Sequence, residues 1–185
     1  MASSVLFSNY MLRDIQLDDY KDLFEYGSDY KVIKLLSWGP YLTKTEAYDT
    51  IKYHFLERPK RGLPVGYAIV DLKLNKMIGT LDFHTIHPDN TVEIGYVLNS
   101  NYWNQGIMKK AVSKLIKIGF FQLNYETLLI GHAESNLASM KVIKANHFKL
   151  IEIKKMNYYN RFEQEYEDTY WYQLTKKEYE NDYKG

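Results

Sequence analysis

Apolar positions in this chain follow two periods that alternate along its length. A first strand is predicted over 10–16 and a helix from Asp18 to about Gly27, with Tyr20, Leu23 and Phe24 on one side. A short helical pattern covers 30–36, and Trp38, Gly39 and Pro40 form a turn. Thr43, Lys44, Thr45 and Glu46 then open a helix that runs to about Glu57. Beyond Val65 the spacing becomes that of strands, over 65–71, 77–84 and 92–98, and three consecutive strands form an antiparallel meander. A helix over 107–121 buries Met108, Ala111, Val112, Leu115, Ile116 and Phe120 on one face. The near-continuous apolar run 127–133 is a further strand. A strand, helix, strand crossover of this length makes a parallel, right-handed pair, so 92–98 and 127–133 are expected side by side. A helix over 136–145, a strand from Phe148, a turn near Asn160 and a last strand ending near Leu174 complete the pattern. Residues 1–8 and 175–185 read as tails.

At 185 residues the chain suits one well-buried domain over 1–185. Its 24 Lys and Arg nearly balance 23 Asp and Glu, so there is no global field to hold a nucleic acid or an anionic membrane. The absence of Cys removes disulfides, thiolate nucleophiles and thiolate metal sites together. With no apolar run approaching about 18 residues and no basic leader, a soluble cytoplasmic protein is the expectation.

The segment 93–148 carries the chemistry. The turn Trp103, Asn104, Gln105, Gly106, Ile107, Met108 follows one strand directly and opens a helix. Backbone N–H groups at a helix N-terminus, with the positive end of the dipole behind them, favour phosphate, and Gly106 permits close approach. A nucleotide-like pyrophosphate is the expected guest. Lys109 and Lys110 read as a solvated helix face or a phosphate clamp.

These residues resemble the GNAT superfamily of acyl-CoA-dependent N-acetyltransferases, and within it the RimJ/RimL branch of ribosomal-protein N-terminal acetyltransferases. The resemblance spans nearly the whole chain. It rests on Leu12 and Arg13 followed by Asp18 or Asp19, on Trp38-Gly39-Pro40 with Thr45 and Glu46, and on Glu93-Ile94-Gly95-Tyr96. The final strand with Trp171 and the run Asn136-Leu137-Ala138-Ser139 with Val142, Asn146, His147 and Phe148 complete it. The loop departs from the general family pattern at both ends, where Trp103 and Met108 stand. Many members carry a Tyr seven residues after the Asn as the acid for the leaving thiolate; here that position is Ile143, and the branch makes Ser139 the replacement candidate.

The resemblance implies an α/β (α+β) GNAT fold: a mixed, mostly antiparallel sheet of about seven strands, splayed between the fourth and fifth and flanked by helices. It implies acetyl-CoA as co-substrate, held by the main chain of Tyr96, Val97 and Leu98, by the loop Trp103, Asn104, Gln105, Gly106, Ile107, Met108 with Lys109, and by Asn136 and Ser139. Transfer of acetyl to an amine needs a held cofactor, a neutral amine, a stabilised carbonyl oxyanion and a protonated leaving thiolate. Glu93 is the candidate base, acting through water, and Ser139, with Tyr158 as a second option, is the candidate acid. The expected acceptor is a primary amine, first a protein N-terminus. A small cationic amine such as a polyamine or aminoglycoside is the alternative, and a non-catalytic acyl-CoA-binding module a further one. A homodimer is left open.

Each residue also has a plainer role. Asn136 is a good N-cap, which is compatible with a cofactor contact, and Ser139 could satisfy a local backbone group. Glu93 could be a solvated or structurally paired strand residue. His84 and His87 lack companions at metal-ligand spacing, so no metal is expected. His132 reads as a hydrogen-bonded core residue. Glu163, Glu165, Glu167 and Asp168 form either a carboxylate patch that attracts a cationic amine or a solvated strand edge.

Overall fold

A computed structural model of the chain describes residues 4–183. Eight strands form one open, mostly antiparallel sheet in the order β1-β2-β3-β4-β5-β6-β8-β7. They are β1 (Val5–Phe7), β2 (Tyr10–Asp14), β3 (Tyr67–Asp71), β4 (Lys76–His87), β5 (Thr91–Leu98), β6 (Thr127–Ala133), β7 (Lys149–Asn160) and β8 (Glu165–Thr175). The flanking helices are α1 (Tyr20–Gly27), α2 (Tyr30–Ile33), α3 (Lys44–Asp49), α4 (Ile107–Lys117), α5 (Leu137–Lys144) and α6 (Lys176–Tyr183). The chain falls into two compact units, one made of residues up to Phe83 with Gly95–Ala111, the other of His84–Ile94 with residues from Val112 onward.

In the first unit a two-residue hairpin at Ser8 and Asn9 pairs Phe7 with Tyr10, which adds the strand that raises the count from seven to eight. The expected tail at 1–8 is thus corrected from Val5 onward, while residues 1–3 lie outside the described ones. The first helix is not capped by Asp18. Asp19 is the N-cap of α1, and in the 3-10 turn Leu17–Asp19 just before it Gln16 and Asp19 form a reciprocal capping box; the Arg13 guanidinium grips Asp19 through two hydrogen bonds of 2.8 and 2.7 Å. At α3 the Thr43 hydroxyl caps the N–H of Glu46, while the Glu46 carboxylate accepts from Leu42 rather than Thr43. The helix then loosens into a π-helical stretch, Thr50–Phe55. Leu23, Tyr26, Val32, Ala47 and Ile51 pack with Ala68, Val70, Met77 and Val97 in one apolar core. Arg58 is buried within this unit, neutralised by Asp82 at 2.6 Å.

In the second unit β5 and β6 run parallel, with Thr91, Val92 and Glu93 opposite Thr127, Leu128 and Leu129. β6 pairs antiparallel with β8 along the full length of β6, and β7 lies outside β8 with two register shifts. His132 is 7% exposed, donates through Nδ1 to the Ala133 carbonyl at 2.8 Å and stacks between Tyr170 and Tyr172. It is a satisfied core residue.

The expected tail at 175–185 is also corrected as far as Tyr183, while residues 184 and 185 lie outside the described ones. Thr175 and Glu178 form a reciprocal capping box for α6, the Thr175 hydroxyl accepting from the Glu178 N–H at 3.2 Å and the Glu178 carboxylate from the Thr175 N–H at 3.0 Å. Tyr179 is buried against Phe120 and Phe121. Among the described residues no helix is long and apolar enough to cross a membrane.

Candidate active site

The first unit holds the anion loop. β5 ends at Leu98, residues 99–106 turn, and α4 begins at Ile107. The turn is held by side chains on all sides. Asn99, 3% exposed, donates its N–H to Ile78 at 2.8 Å and accepts from the Asn101 N–H at 3.0 Å. Ser100 donates to Asp29, and Tyr102 donates to Asp71 at 3.1 Å. Burial and that carboxylate push the Tyr102 phenol up to about 12. The Trp103 indole donates to the Leu98 carbonyl at 2.8 Å, and its backbone N–H donates to Ser100 at 3.2 Å.

Trp103 therefore pins the loop to the end of β5, with both of its N–H groups engaged inside the loop. The remaining donor positions of the loop lie further on. Asn104 and Gly106 both have positive φ, 59° and 70°, and a Cβ built on Gly106 meets nothing within 4 Å. The N–H groups of Ile107 and Met108 occupy the first turn of an eleven-residue helix, ahead of the first i→i−4 donor, the Lys110 N–H on the Gly106 carbonyl. The side chains of Ile107 and Met108 are buried and those of Asn104, Gln105 and Lys109 exposed, so the loop presents backbone, not a ring of cations. Gln105 donates back to the Asn101 carbonyl and Lys110 reaches Ser8.

Upstream of the loop, β5 carries Tyr96, Val97 and Leu98, the last two buried. One residue the sequence reading passed over governs this strand. Gly79 on β4 lies so close that a Cβ there would stand 2.4 Å from the Val97 carbonyl oxygen and 3.1 Å from the Leu98 Cα. A lone Gly inside a strand was the available signal.

The second unit holds the candidate acid and base residues. Glu93 is partly buried and paired. Its Oε1 accepts from His87 Nε2 at 2.6 Å, and its Oε2 lies 3.7 Å from His84 Nδ1. The two histidines set aside as metal ligands, His84 and His87, are the neighbours of the candidate base. Among the described residues no group of three or more His, Cys, Asp or Glu side chains could hold a metal ion.

Asn136 and Ser139 meet at the start of α5, where Asn136 Oδ1 accepts from the Ser139 N–H at 3.0 Å. Asn136 is the N-cap. Ile143, where the Tyr acid would stand, is fully buried. Tyr158 stands opposite Glu167 in the β7–β8 register, and burial raises its phenol. The carboxylate patch is partly dissolved by its own hydrogen bonds. Glu167 accepts from Ser135 and Asn160, and Asp168 pairs with Lys155 at 2.6 Å and accepts from the Met156 N–H.

Residues 9–149 match the acetyltransferase (GNAT) domain family. The chain belongs to that family. The GNAT chain is 30% identical over 169 residues to a Bacillus licheniformis protein named uncharacterized N-acetyltransferase p20, covering 91% of this chain and 93% of the relative. Among solved structures it superposes on RimL, ribosomal L7/L12 α-N-protein acetyltransferase, in complex with coenzyme A, with a TM-score of 0.82 at 24% identity over 94% of this chain and 98% of that one. It also superposes on the microcin C7 self-immunity acetyltransferase MccE in complex with acetyl-CoA and AMP, with a TM-score of 0.79 at 19% identity over 91% and 93%. At these identities the structures establish a shared fold. This chain is an N-acetyltransferase of the GNAT fold, and its acceptor has to be argued from its own residues.

Proposed function

We propose that this GNAT enzyme transfers acetyl from acetyl-CoA to the α-amine at a peptide or protein N-terminus by direct attack. The observation that carries the cofactor assignment is the pinned 99–106 loop, with open space over Gly106 ahead of the α4 N-terminus. The N–H groups of Ile107 and Met108, with Gly106, hold the pyrophosphate, and the main chain of Tyr96, Val97 and Leu98 takes the pantetheine arm as an added strand.

In the reaction an N–C bond forms, the C–S bond breaks, and two protons move. A backbone N–H of Val97 or Leu98 polarises the carbonyl. Glu93 takes the amine proton through water, and the His87 imidazole, which donates through Nε2 to that carboxylate, holds it in place. The second amine proton reaches the leaving thiolate through the Ser139 hydroxyl, which passes one proton to sulfur as it takes up another. The choice of an α-amine follows from this modest machinery, because its reference pKa of roughly 8 lies far below the roughly 10.4 of a lysine amine. The alternative acceptor, a small polycation, is disfavoured by the engagement of Glu167 and Asp168 within the fold.

A peptide with both a free N-terminus and an internal lysine tests the assignment. After incubation with enzyme and acetyl-CoA, fragment-ion mass spectrometry is expected to place the acetyl group on the α-nitrogen. Acetyl on the lysine alone would overturn it.

A further inference from the structure

Glu167 is a buried carboxylate, 8% exposed, and its two oxygens tie together two loops of the second unit. One loop is the turn between β7 and β8. Asn160, 4% exposed, closes that turn by accepting through Oδ1 from the N–H groups of Phe162 at 3.1 Å and Glu163 at 3.2 Å. Because two donors claim Oδ1, the group facing Glu167 has to be the Asn160 Nδ2, which donates to Glu167 Oε1 at 2.5 Å.

The other loop joins β6 to α5. Glu167 Oε2 accepts from the Ser135 N–H at 2.9 Å, and the next residue is Asn136, the cap on the Ser139 N–H. A series of hydrogen bonds thus runs from the hairpin turn through Asn160 and Glu167 to Ser135, and the peptide link to Asn136 carries it to the first turn of α5. Burial pushes the Glu167 carboxyl up, but its donors from Asn160 and Ser135 outweigh that and hold it below the usual carboxylate range. It stays an anion that accepts on both sides. A neutral side chain of the same length cannot, since an amide has one acceptor to offer two donors.

We infer that Glu167 is a positioning residue, which sets the Ser139 hydroxyl for protonation of the leaving thiolate by fixing Ser135 and Asn136 against the Asn160 turn. This rests on the reading of Ser139 given above. A shift of about 1 Å in a reacting group can cost on the order of a hundredfold in rate, so a loosened α5 N-terminus lowers kcat more than it changes acetyl-CoA affinity.

The polarity of the series supplies the test. Glu167→Gln sets an NH2 against a donor, and Asn160→Asp sets two carboxylates against each other. The double variant E167Q/N160D restores every bond with the donor reversed. The amide introduced at position 167 donates to the carboxylate introduced at position 160 and accepts from Ser135, while that carboxylate still accepts from Phe162 and Glu163. Each single variant is expected to lose about tenfold in kcat, with KM for acetyl-CoA within about threefold. The double variant is expected to recover to within about threefold of wild type, with melting temperatures recorded for all four proteins.

E167Q placed on Ser139→Ala is expected to cost no further kcat, which a merely structural loss would not show. Single variants at wild-type kcat, or a double variant no better than the singles, overturn the inference. Wild-type kcat in Ser139→Ala overturns the reading of Ser139 itself.

Discussion

Replacing Gly79 with Ala introduces one methyl group against the backbone of the strand proposed to hold the thioester. The new Cβ would sit 2.4 Å from the Val97 carbonyl oxygen and 3.1 Å from both Cα and Cδ1 of Leu98. Ordinary contact begins near 3.4 Å, so β4 and the end of β5 have to part by about 1 Å. The nearest obstacle is backbone, and no rotamer change relieves it. The Asn99-to-Ile78 hydrogen bond and the Trp103 indole on Leu98, both 2.8 Å, resist the movement and transmit it into the 99–106 loop.

Overpacking of this kind costs about 1–3 kcal/mol, a fall in Tm of about 2–12 °C for a chain of this size. If the Val97 and Leu98 main chain positions the acetyl group, a displacement of about 1 Å lowers kcat/KM for acetyl-CoA by about a hundredfold. The assay is thiol release under saturating amine, at a temperature well below the variant's Tm. Leu174→Ala, a core truncation on β8 at a side chain 1% exposed, serves as control; it is expected to lose about 2–5 kcal/mol of stability yet keep the wild-type rate. Gly79→Ala at a kcat/KM within about threefold of wild type would refute the reasoning.

Gly106→Ala places a side chain at φ 70° without a clash, so stability is expected to fall by about 1–2 kcal/mol, while KM for acetyl-CoA rises about tenfold in steady-state kinetics. Glu93→Gln is expected to lower kcat by about 10²–10³-fold, and His87→Gln by a smaller factor, with the loss largest at low pH, where the amine is protonated. Glu178 provides a stability test. Its hydrogen bond from Lys149 and those from Thr175 hold its carboxyl down at about 2, below its value of 4.5 in the unfolded chain. The stabilisation is therefore complete above pH 4.5 and lost as pH falls toward 2. Denaturant titrations across that window are expected to show a shallower acid slope for Glu178→Gln.

The regular elements were largely legible because their signals are local. The apolar run 127–133 became β6 with the same bounds, and Asn136 caps α5 through Ser139 as its type and position suggested. The same reasoning, applied unevenly, lost α6. Thr175 and Glu178 carry the capping spacing recognised at Thr43, but the charged run after them reads as a frayed end. β1 has only three residues, too few for a period to show, and pairing with β2 across Ser8 and Asn9 is what makes it a strand. The site was legible only as far as the strand, loop and helix order. That Glu93 is held by His87, that Gly79 abuts Val97, and that Glu167 spans two loops are contacts set by strand register and side-chain reach, which no spacing along the chain encodes.

The most direct measurement of the central claim is thiol release from acetyl-CoA by the purified protein, across free N-terminal peptides, lysine peptides with blocked N-termini, polyamines and aminoglycosides. Because the chain has no Cys, it adds no thiol of its own to the reading. The account expects release that depends on peptides with a free α-amine and falls to the no-enzyme rate when that amine is blocked. Release driven only by polyamines or aminoglycosides, or by blocked lysine peptides as fast as by free N-termini, would contradict it.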